Sequence, residues 1–501
     1  MKISKKYFRI IHYEEILLLC IVMSCMFNFI PKILHIKFLG SVISSKLTLY
    51  PLLIFYFIAY INLKNKKMLK NLTDISTYFV IYISVQILPL LFSINNFYKN
   101  HLYYYFICWS IKEIVLNYTW TFGATYLIYC FYYSKWKKCL NVLLNGIIIS
   151  LIFIFTYNIF EISYLLGSTF AKNLLITINP YIHVINYGYG WWPPLLLPGQ
   201  LRSLFAEPSY YGIYFAFAMP FLWCIFVNAK KIHYKIILIL SILFFSFCLF
   251  LTQARTAVAL FCGEIFILFI FMIYLRNKFF FKQVGKIFIA SITAFMFSGL
   301  FINNLLVDNR YGIDSIESYL ESNLTSLAST SQRSNGARYS IMIADLKIGL
   351  DHPLIGVGTG LRNAYIPDYL PEMAKDNGEV QMWIQNQKEK GILRSGFPKL
   401  GEYTSRFAET GIIGLVLFLI PPFILLRKLY FKITYKNMTV DDKLPYVFFT
   451  ISLIGIMASG LGDTINITYC YWVLLGLGYA MCFGKENDVK DNGDTGSRQE
   501  H

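Results

Sequence analysis

The sequence predicts an all-α polytopic membrane protein with about twelve transmembrane helices. Three observations carry this expectation. Of 501 residues, 56% are hydrophobic and 15% charged, and the mean hydropathy is +0.52; a soluble chain of this length carries more charge. The apolar runs approach the ~20 residues that a helix needs to cross a bilayer, not the ~10-residue alternation of a barrel strand. Basic residues recur in every second loop, which fixes an orientation.

The runs fall at 15–32, 47–63, 76–95, 113–133, 140–160, 208–228, 236–253, 256–275, 285–305, 408–427, 445–462 and 466–483. Residues 101–112 are aromatic-rich and either extend the fourth span or form an interfacial helix. The basic start (Lys2, Lys5, Lys6, Arg9) resembles a signal peptide but lacks a small-residue cleavage site, so it reads as the lead into a retained first span. Alternate loops then carry Lys64, Lys66, Lys67 and Lys70; Lys135, Lys137 and Lys138; Lys230, Lys231 and Lys235; Arg276, Lys278, Lys282 and Lys286; and Arg427, Lys428, Lys432, Lys436 and Lys443. Both termini are therefore expected in the cytoplasm. The formal charge of +17 is largely this orientation signal, and nucleic acid is not expected as a partner.

The opposite loops face outward, and two are long. The first, 161–207, has few charges and holds Trp191-Trp192-Pro193-Pro194. The second, 306–405, mixes acids and bases and includes the Ser/Thr/Asn-rich stretch from Thr325 to Asn335. Irregular polar chain does not sit in lipid, so 306–405 is expected to be a partly helical extracytoplasmic domain between spans nine and ten. The division is then 1–305 for the first nine spans, 306–405 for the loop domain, 406–484 for the last three spans, and 485–501 for a polar cytoplasmic tail. The ten cysteines lie mostly in apolar runs and none lies in the long loop, so neither a disulfide framework nor a cysteine metal site is expected.

Four segments can carry chemistry. In Leu201-Arg202-Ser203-Leu204-Phe205-Ala206-Glu207-Pro208-Ser209, Pro208 suits a first helical turn and Glu207 the positive helix end. An interfacial Arg202–Glu207 pair explains it as well as a substrate site does. Thr252-Gln253-Ala254-Arg255 is a short outer turn; a snorkelling arginine is the plain explanation. Yet Arg202 and Arg255 share one membrane face, and guanidinium suits bidentate phosphate contacts. Arg338 opens an amphipathic helical pattern through Leu350, which ends at Asp351-His352-Pro353-Leu354-Ile355-Gly356-Val357-Gly358-Thr359-Gly360. Without a Lys-Ser/Thr continuation this glycine run is a turn rather than a phosphate loop; His352 is a base or a helix-end surface residue. Glu409-Thr410-Gly411-Ile412-Ile413-Gly414 leads into the tenth span, where Glu409 also reads as a helix-start carboxylate.

These segments, in this order, resemble the O-antigen polymerase and ligase superfamily. The resemblance rests on Arg202 with Glu207-Pro208-Ser209, on the Thr252 to Arg255 turn, on Arg338 followed by His352-Pro353-Leu354-Ile355-Gly356-Val357-Gly358, and on Glu409-Thr410-Gly411-Ile412-Ile413-Gly414. It spans roughly residues 200–420. It implies a GT-C-like membrane glycosyltransferase, independent of metal and cofactor, that takes oligosaccharide from an undecaprenyl-diphosphate carrier on the outer face of the bacterial cytoplasmic membrane. Donor and acceptor are then both lipid-linked, and a chain-length regulator is a further partner that the resemblance admits. Arg202, Arg255 and Arg338 are expected to hold the donor diphosphate; Glu207, His352 and Glu409 are the candidates for proton transfer, and the sequence does not rank them. Ligases typically carry a His-Asn pair shortly before the Glu-Thr-Gly segment, and Lys399-Leu400-Gly401-Glu402 has none. That departure favours a polymerase of O-antigen or capsule repeats over a ligase. A lipid-linked sugar flippase is the reading from another class. It needs charges in a central cavity, whereas few lie inside the spans, Glu264 and Asp463 foremost, and flipping needs no outer domain.

Overall fold

Helix follows helix in this protein, with no strand among the described residues, which in the computed structural model are 13–27, 31–34, 47–62, 72–92, 103–183, 199–304, 333–392 and 395–484. The basic N-terminus, the lysines of 64–70, the Trp191-to-Pro194 stretch, most of Thr325 to Asn335 and the tail lie outside them.

The first half runs α1 (Tyr13–Ser24), α2 (Leu49–Asn62), α3 (Leu72–Phe92), α4 (Tyr103–Tyr118), α5 (Ala124–Tyr132), α6 (Trp136–Leu165) and α7 (Thr169–Ile182). A wide turn at Thr119–Gly123 joins α4 to α5, so the aromatic-rich 101–112 region is helical from Tyr103 and continuous with the expected fourth span. The second half runs α8 (Pro208–Asn228), α9 (Ile232–Leu251), α10 (Arg255–Leu275) and α11 (Lys278–Asn304), then α12 (Arg333–Asp351), α13 (Arg362–Tyr369) and α14 (Gly378–Lys390), and finally α15 (Glu402–Thr434), α16 (Val440–Ser459) and α17 (Cys470–Phe483).

Seven of these helices, α6, α8, α9, α10, α11, α15 and α16, are long and apolar enough to cross a membrane. Shorter apolar stretches lie in α1, α2, α3 and α17. The chain is thus a multi-pass helical membrane protein. The expected first three spans reach into residues outside the described ones, and the apolar stretches described there are the shorter ones.

Helix α8 forms the centre. It packs against α9, α10 and α16, and almost every side chain from Tyr211 to Val227 is buried. A helix that is apolar on all faces belongs inside a bundle. Its approach to α10 depends on Gly212, where a Cβ would collide with Ala257. Small residues let membrane helices come close, where packing rather than hydrophobicity drives association.

The loop domain has its own small core of Ile341, Ala344, Ile348, Val357, Ile366, Phe397 and Ala408. Ala408 belongs to α15, so this core is completed by the first turns of a membrane helix. A fully buried ion pair pins it: Arg362 Nε donates to Asp345 Oδ1 at 2.9 Å, and Ser405 Oγ donates to Asp345 Oδ2 at 2.9 Å. Arg362 also donates to the carbonyls of Phe397 (3.1 Å) and Pro398 (2.9 Å). This fixes the approach to Lys399.

Helix α15 breaks its own ladder at Gly411, where φ is +63°. The segment after His352 fills the break. Val357 and Gly358 donate backbone N–H to the carbonyls of Ala408 (2.9 Å) and Glu409 (2.8 Å), and Ile412 donates to Pro353 O at 2.8 Å. A Cβ at Gly411 would run into Leu354 and Ile355, and one at Gly356, itself at φ +69°, into Glu409 and Thr410. Two of the sequence segments are therefore one structural joint, and the glycines are required by close backbone approach and left-handed geometry.

Candidate functional site

The arginine segment is built on the ends of three helices. Gly167 (φ +87°) closes α6, and Ser168 caps α7 by accepting from Ala171 N at 3.3 Å. Between α9 and α10 the chain turns through Gln253 (φ +49°), with Thr252 Oγ1 accepting from Ala254 N at 3.2 Å. The 199–207 segment docks on that turn. Leu201 N donates to Leu251 O at 3.1 Å, and Gln253 Nε2 donates to Gly199 O at 2.9 Å. The Arg202 and Arg255 segments are thereby brought side by side.

Glu207, however, does not answer Arg202. The carboxylate beneath the Arg202 segment is Glu161, near the end of α6, with Oε2 accepting the backbone N–H of both Arg202 (3.2 Å) and Ser203 (2.6 Å). Burial lowers the Arg202 pKa, and the Glu161 charge opposes that shift. His183 lies beside it, its Nε2 3.1 Å from Tyr157 Oη, and Tyr157 in turn donates to Asn179. Burial and the Arg202 charge hold the His183 pKa well below its usual value.

Glu207 faces the loop domain instead. It precedes Pro208 in extended conformation (φ −134°) and lies in the field of Arg338 and Asp463. Burial first, then the Asp463 charge, raises its pKa to about 6, with Arg338 opposing. Arg338 Nη1 lies 3.6 Å from Asp463 Oδ2 and donates to Gly462 O. Asp463, between the expected eleventh and twelfth spans, sits in the turn between α16 and α17 and meets Arg338.

The same turn leads to a small polar cavity, open in part to solvent, between α3, α4 and α15. Thr464 Oγ1 donates to Glu402 Oε2 at 2.7 Å, and Glu402 Oε1 accepts from Arg406 Nε at 2.5 Å. Arg406 also donates to Tyr82 Oη at 3.0 Å and stacks on Phe418 with its Cζ 3.7 Å from the ring centroid. Deeper, Glu409 is held at both oxygens: Gly360 N donates to Oε1 at 3.1 Å, and Lys399 Nζ donates to Oε2 at 2.7 Å. Thr359 donates to Gln86 at 3.0 Å and ties the glycine segment to α3. The wall thus carries two cations matched by two carboxylates, with Asn117, Gln86 and Tyr118 as further lining.

His352 stands apart. It ends α12 half-buried, with its ring edge-on to Tyr365 at 5.9 Å between centroids.

Of the six expected residues, the structure brings the Arg202 and Arg255 segments together, puts Glu207 in the field of Arg338, and places Glu409 in the cavity. Glu161, Lys399, Glu402, Arg406 and the Asp345–Arg362 pair were not anticipated. Glu161 had a signal, since a lone ionisable residue at the end of an apolar run is a functional candidate by default. Glu402 and Arg406 had one in their i, i+4 spacing.

Residues 239–387 match a protein-family model described as O-antigen ligase. The match supports the O-antigen ligase and polymerase superfamily for this stretch of the chain. No curated protein matches it. The matched stretch of the O-antigen ligase domain runs from α9 into α14 and contains Arg255, Arg338 and His352, while Arg202, Glu207 and Glu409 flank it. Enzymes of this family act on lipid-linked oligosaccharides in the membrane.

Proposed function

We propose that this protein is a membrane glycosyltransferase that polymerises undecaprenyl-diphosphate-linked repeat units into O-antigen or capsular polysaccharide. In this reading the work is done on the outer face of the bacterial cytoplasmic membrane, with both termini in the cytoplasm. The observation that carries it is the joint at Gly411. The glycine segment after His352 locks onto α15 and fixes both oxygens of Glu409 at the wall of a polar cavity, inside and beside the stretch that matches the family.

The chemistry needs three things. An acceptor sugar oxygen attacks the anomeric carbon of the donor, a new glycosidic C–O bond forms, and the bond to the carrier diphosphate breaks with its electron pair. The leaving lipid diphosphate is stabilised by the cations of the Arg202–Arg255 ridge and Arg338, without a metal. The cavity suits the uncharged acceptor sugar, because Lys399 and Arg406 are already matched by Glu409 and Glu402. The hydroxyl proton goes to Glu207, whose pKa near 6 lies close to the working range of a general base. Glu409, with both oxygens engaged, orients the acceptor, and His352 at the end of α12 serves the fold of the joint.

Ligation of finished polymer to a lipid acceptor is the second reading, favoured by the description of the matching family. Gene deletion followed by gel analysis of surface polysaccharide separates the two. A single capped repeat marks a lost polymerase, and long unlinked polymer marks a lost ligase. Unchanged surface polysaccharide would remove both.

A further inference from the structure

Glu161 is an unfavourable residue by every local rule. It lies in the last turns of α6, where the helix dipole disfavours an anion, and it is completely buried. A residue that breaks local preferences is compensated elsewhere or serves a site. Its compensation is visible. One oxygen takes two successive backbone N–H groups, from Arg202 at 3.2 Å and Ser203 at 2.6 Å. Ser203 adopts φ +58°, a left-handed conformation uncommon for serine. Successive N–H groups converging on one anion through a left-handed residue form an anion nest, here filled by the protein's own carboxylate. The other oxygen, Oε1, has no hydrogen-bond partner among the described residues.

The consequence falls on Arg202. Its backbone is held from below by Glu161 and from the side by the Leu201–Leu251 hydrogen bond. The guanidinium then projects from a fixed root rather than from a mobile loop.

We propose that Glu161 is the positioning residue of the arginine segment. By clamping the backbone at Arg202 and Ser203 it preorganises Arg202 for a lipid diphosphate. The inference rests on the proposed role of Arg202 in holding the donor diphosphate. It locates the clamp in the acceptor oxygen of Glu161 rather than in its charge, and that distinction makes it testable.

The test uses the full-length protein in nanodiscs, titrated with undecaprenyl diphosphate and read by ligand-induced thermal stabilisation. This readout needs no knowledge of the sugar. Glu161→Gln keeps an acceptor oxygen at the same reach and is expected to bind within about threefold of the native protein, since an accepted hydrogen bond is retained. Glu161→Asp keeps the charge but falls one methylene short. Glu161→Leu removes the acceptor. Both are expected to weaken binding by about tenfold or more, because the N–H groups lose their partner. Should the leucine variant fail to fold, the order of glutamine and aspartate still decides. Aspartate binding like native with glutamine weakened would overturn the proposal, because charge would then be what matters. Native binding in the aspartate and leucine variants, together with weakened binding in Arg202→Ala, would sink the clamp and leave the diphosphate reading intact. Native binding in Arg202→Ala would remove the diphosphate reading itself.

Discussion

Asp345→Asn should loosen the loop domain from the membrane helices and take activity with it. The Asp345 and Arg362 side chains are 0% and 1% exposed, 2.9 Å apart. Neutralising Asp345 leaves a guanidinium buried with only carbonyl and amide oxygens. Breaking a buried pair on one side costs about 3–5 kcal/mol, because the remaining charge is uncompensated. That is about three orders of magnitude in the local closing equilibrium. The damage should travel along Arg362, whose other donors hold the carbonyls of Phe397 and Pro398. Lys399 follows directly and would lose its register on Glu409. The assay is limited trypsinolysis in nanodiscs, scored at Lys388 and Lys390 in the last turn of α14, alongside turnover of lipid-linked repeats. Cleavage there should accelerate strongly in Asp345→Asn. The double variant Asp345→Leu with Arg362→Met should recover much of the protection, because an apolar replacement removes both charges. Unchanged cleavage in the single variant, or a double variant more labile than the single one, would refute this account of how the domain is held.

Arg202→Ala and Arg255→Ala should each lower polymer formation about a hundredfold, a loss of about 2–4 kcal/mol for one charged contact to a desolvated diphosphate, with lysine rescuing in part; near-normal polymer in both leaves only snorkelling arginines. Activity should rise with pH through about 6 as Glu207 ionises, and Glu207→Gln should abolish that limb and reduce turnover more than Glu409→Gln does. Stability runs the other way: the Glu207 pKa is raised from 4.5 to about 6, so its contribution is full below 4.5 and is lost as pH rises through 6; a denaturation midpoint that Glu207→Gln leaves with the same slope across that window argues against it. Purified enzyme should turn over in excess EDTA, and activity restored only by divalent metal overturns the metal-free mechanism. A cysteine at Ser331 should react with an impermeant reagent on intact cells; reaction only after membrane disruption reverses the orientation.

The helices were legible because the bilayer demands them. Lipid leaves the backbone no alternative, so an apolar run near 20 residues reads as a helix almost without context. The amphipathic pattern from Arg338 to Leu350 was readable for the same periodic reason and appears as α12. The helix bounds were less legible. Helix α15 begins at Glu402, before the apolar run, because its first turns are paid for by the loop domain's core and by Glu402's hydrogen bonds rather than by lipid. Likewise α6 runs past residue 160 to Leu165 and carries Glu161 with it.

The site divides along the same line. Partners were not legible, because sequence spacing says nothing about which carboxylate meets which arginine across helices. Five residues separate Arg202 from Glu207, which made them look like a pair. The backbone between them instead follows a left-handed turn at Ser203 and enters α8 at Pro208. That turn gives the two residues different neighbours: the Arg202 backbone meets Glu161 on α6, and Glu207 lies in the field of Arg338 on α12. The glycines tell the complementary story. Gly356 and Gly411 lie 55 positions apart and read as unrelated turns, yet each is a glycine because the other's strand of backbone lies against it. A substitution at either should therefore fail in the same way, by forcing the 353–358 segment off α15. Gly356→Ala and Gly411→Ala should each release the Glu409 carbonyl from Gly358, and combining them should cost less than the sum of the two, since one broken joint cannot be broken twice. Thermal unfolding of the two single variants and the double variant measures this coupling. Strict additivity would mean that the two glycines serve separate structures, and the joint that fixes Glu409 would have to be abandoned.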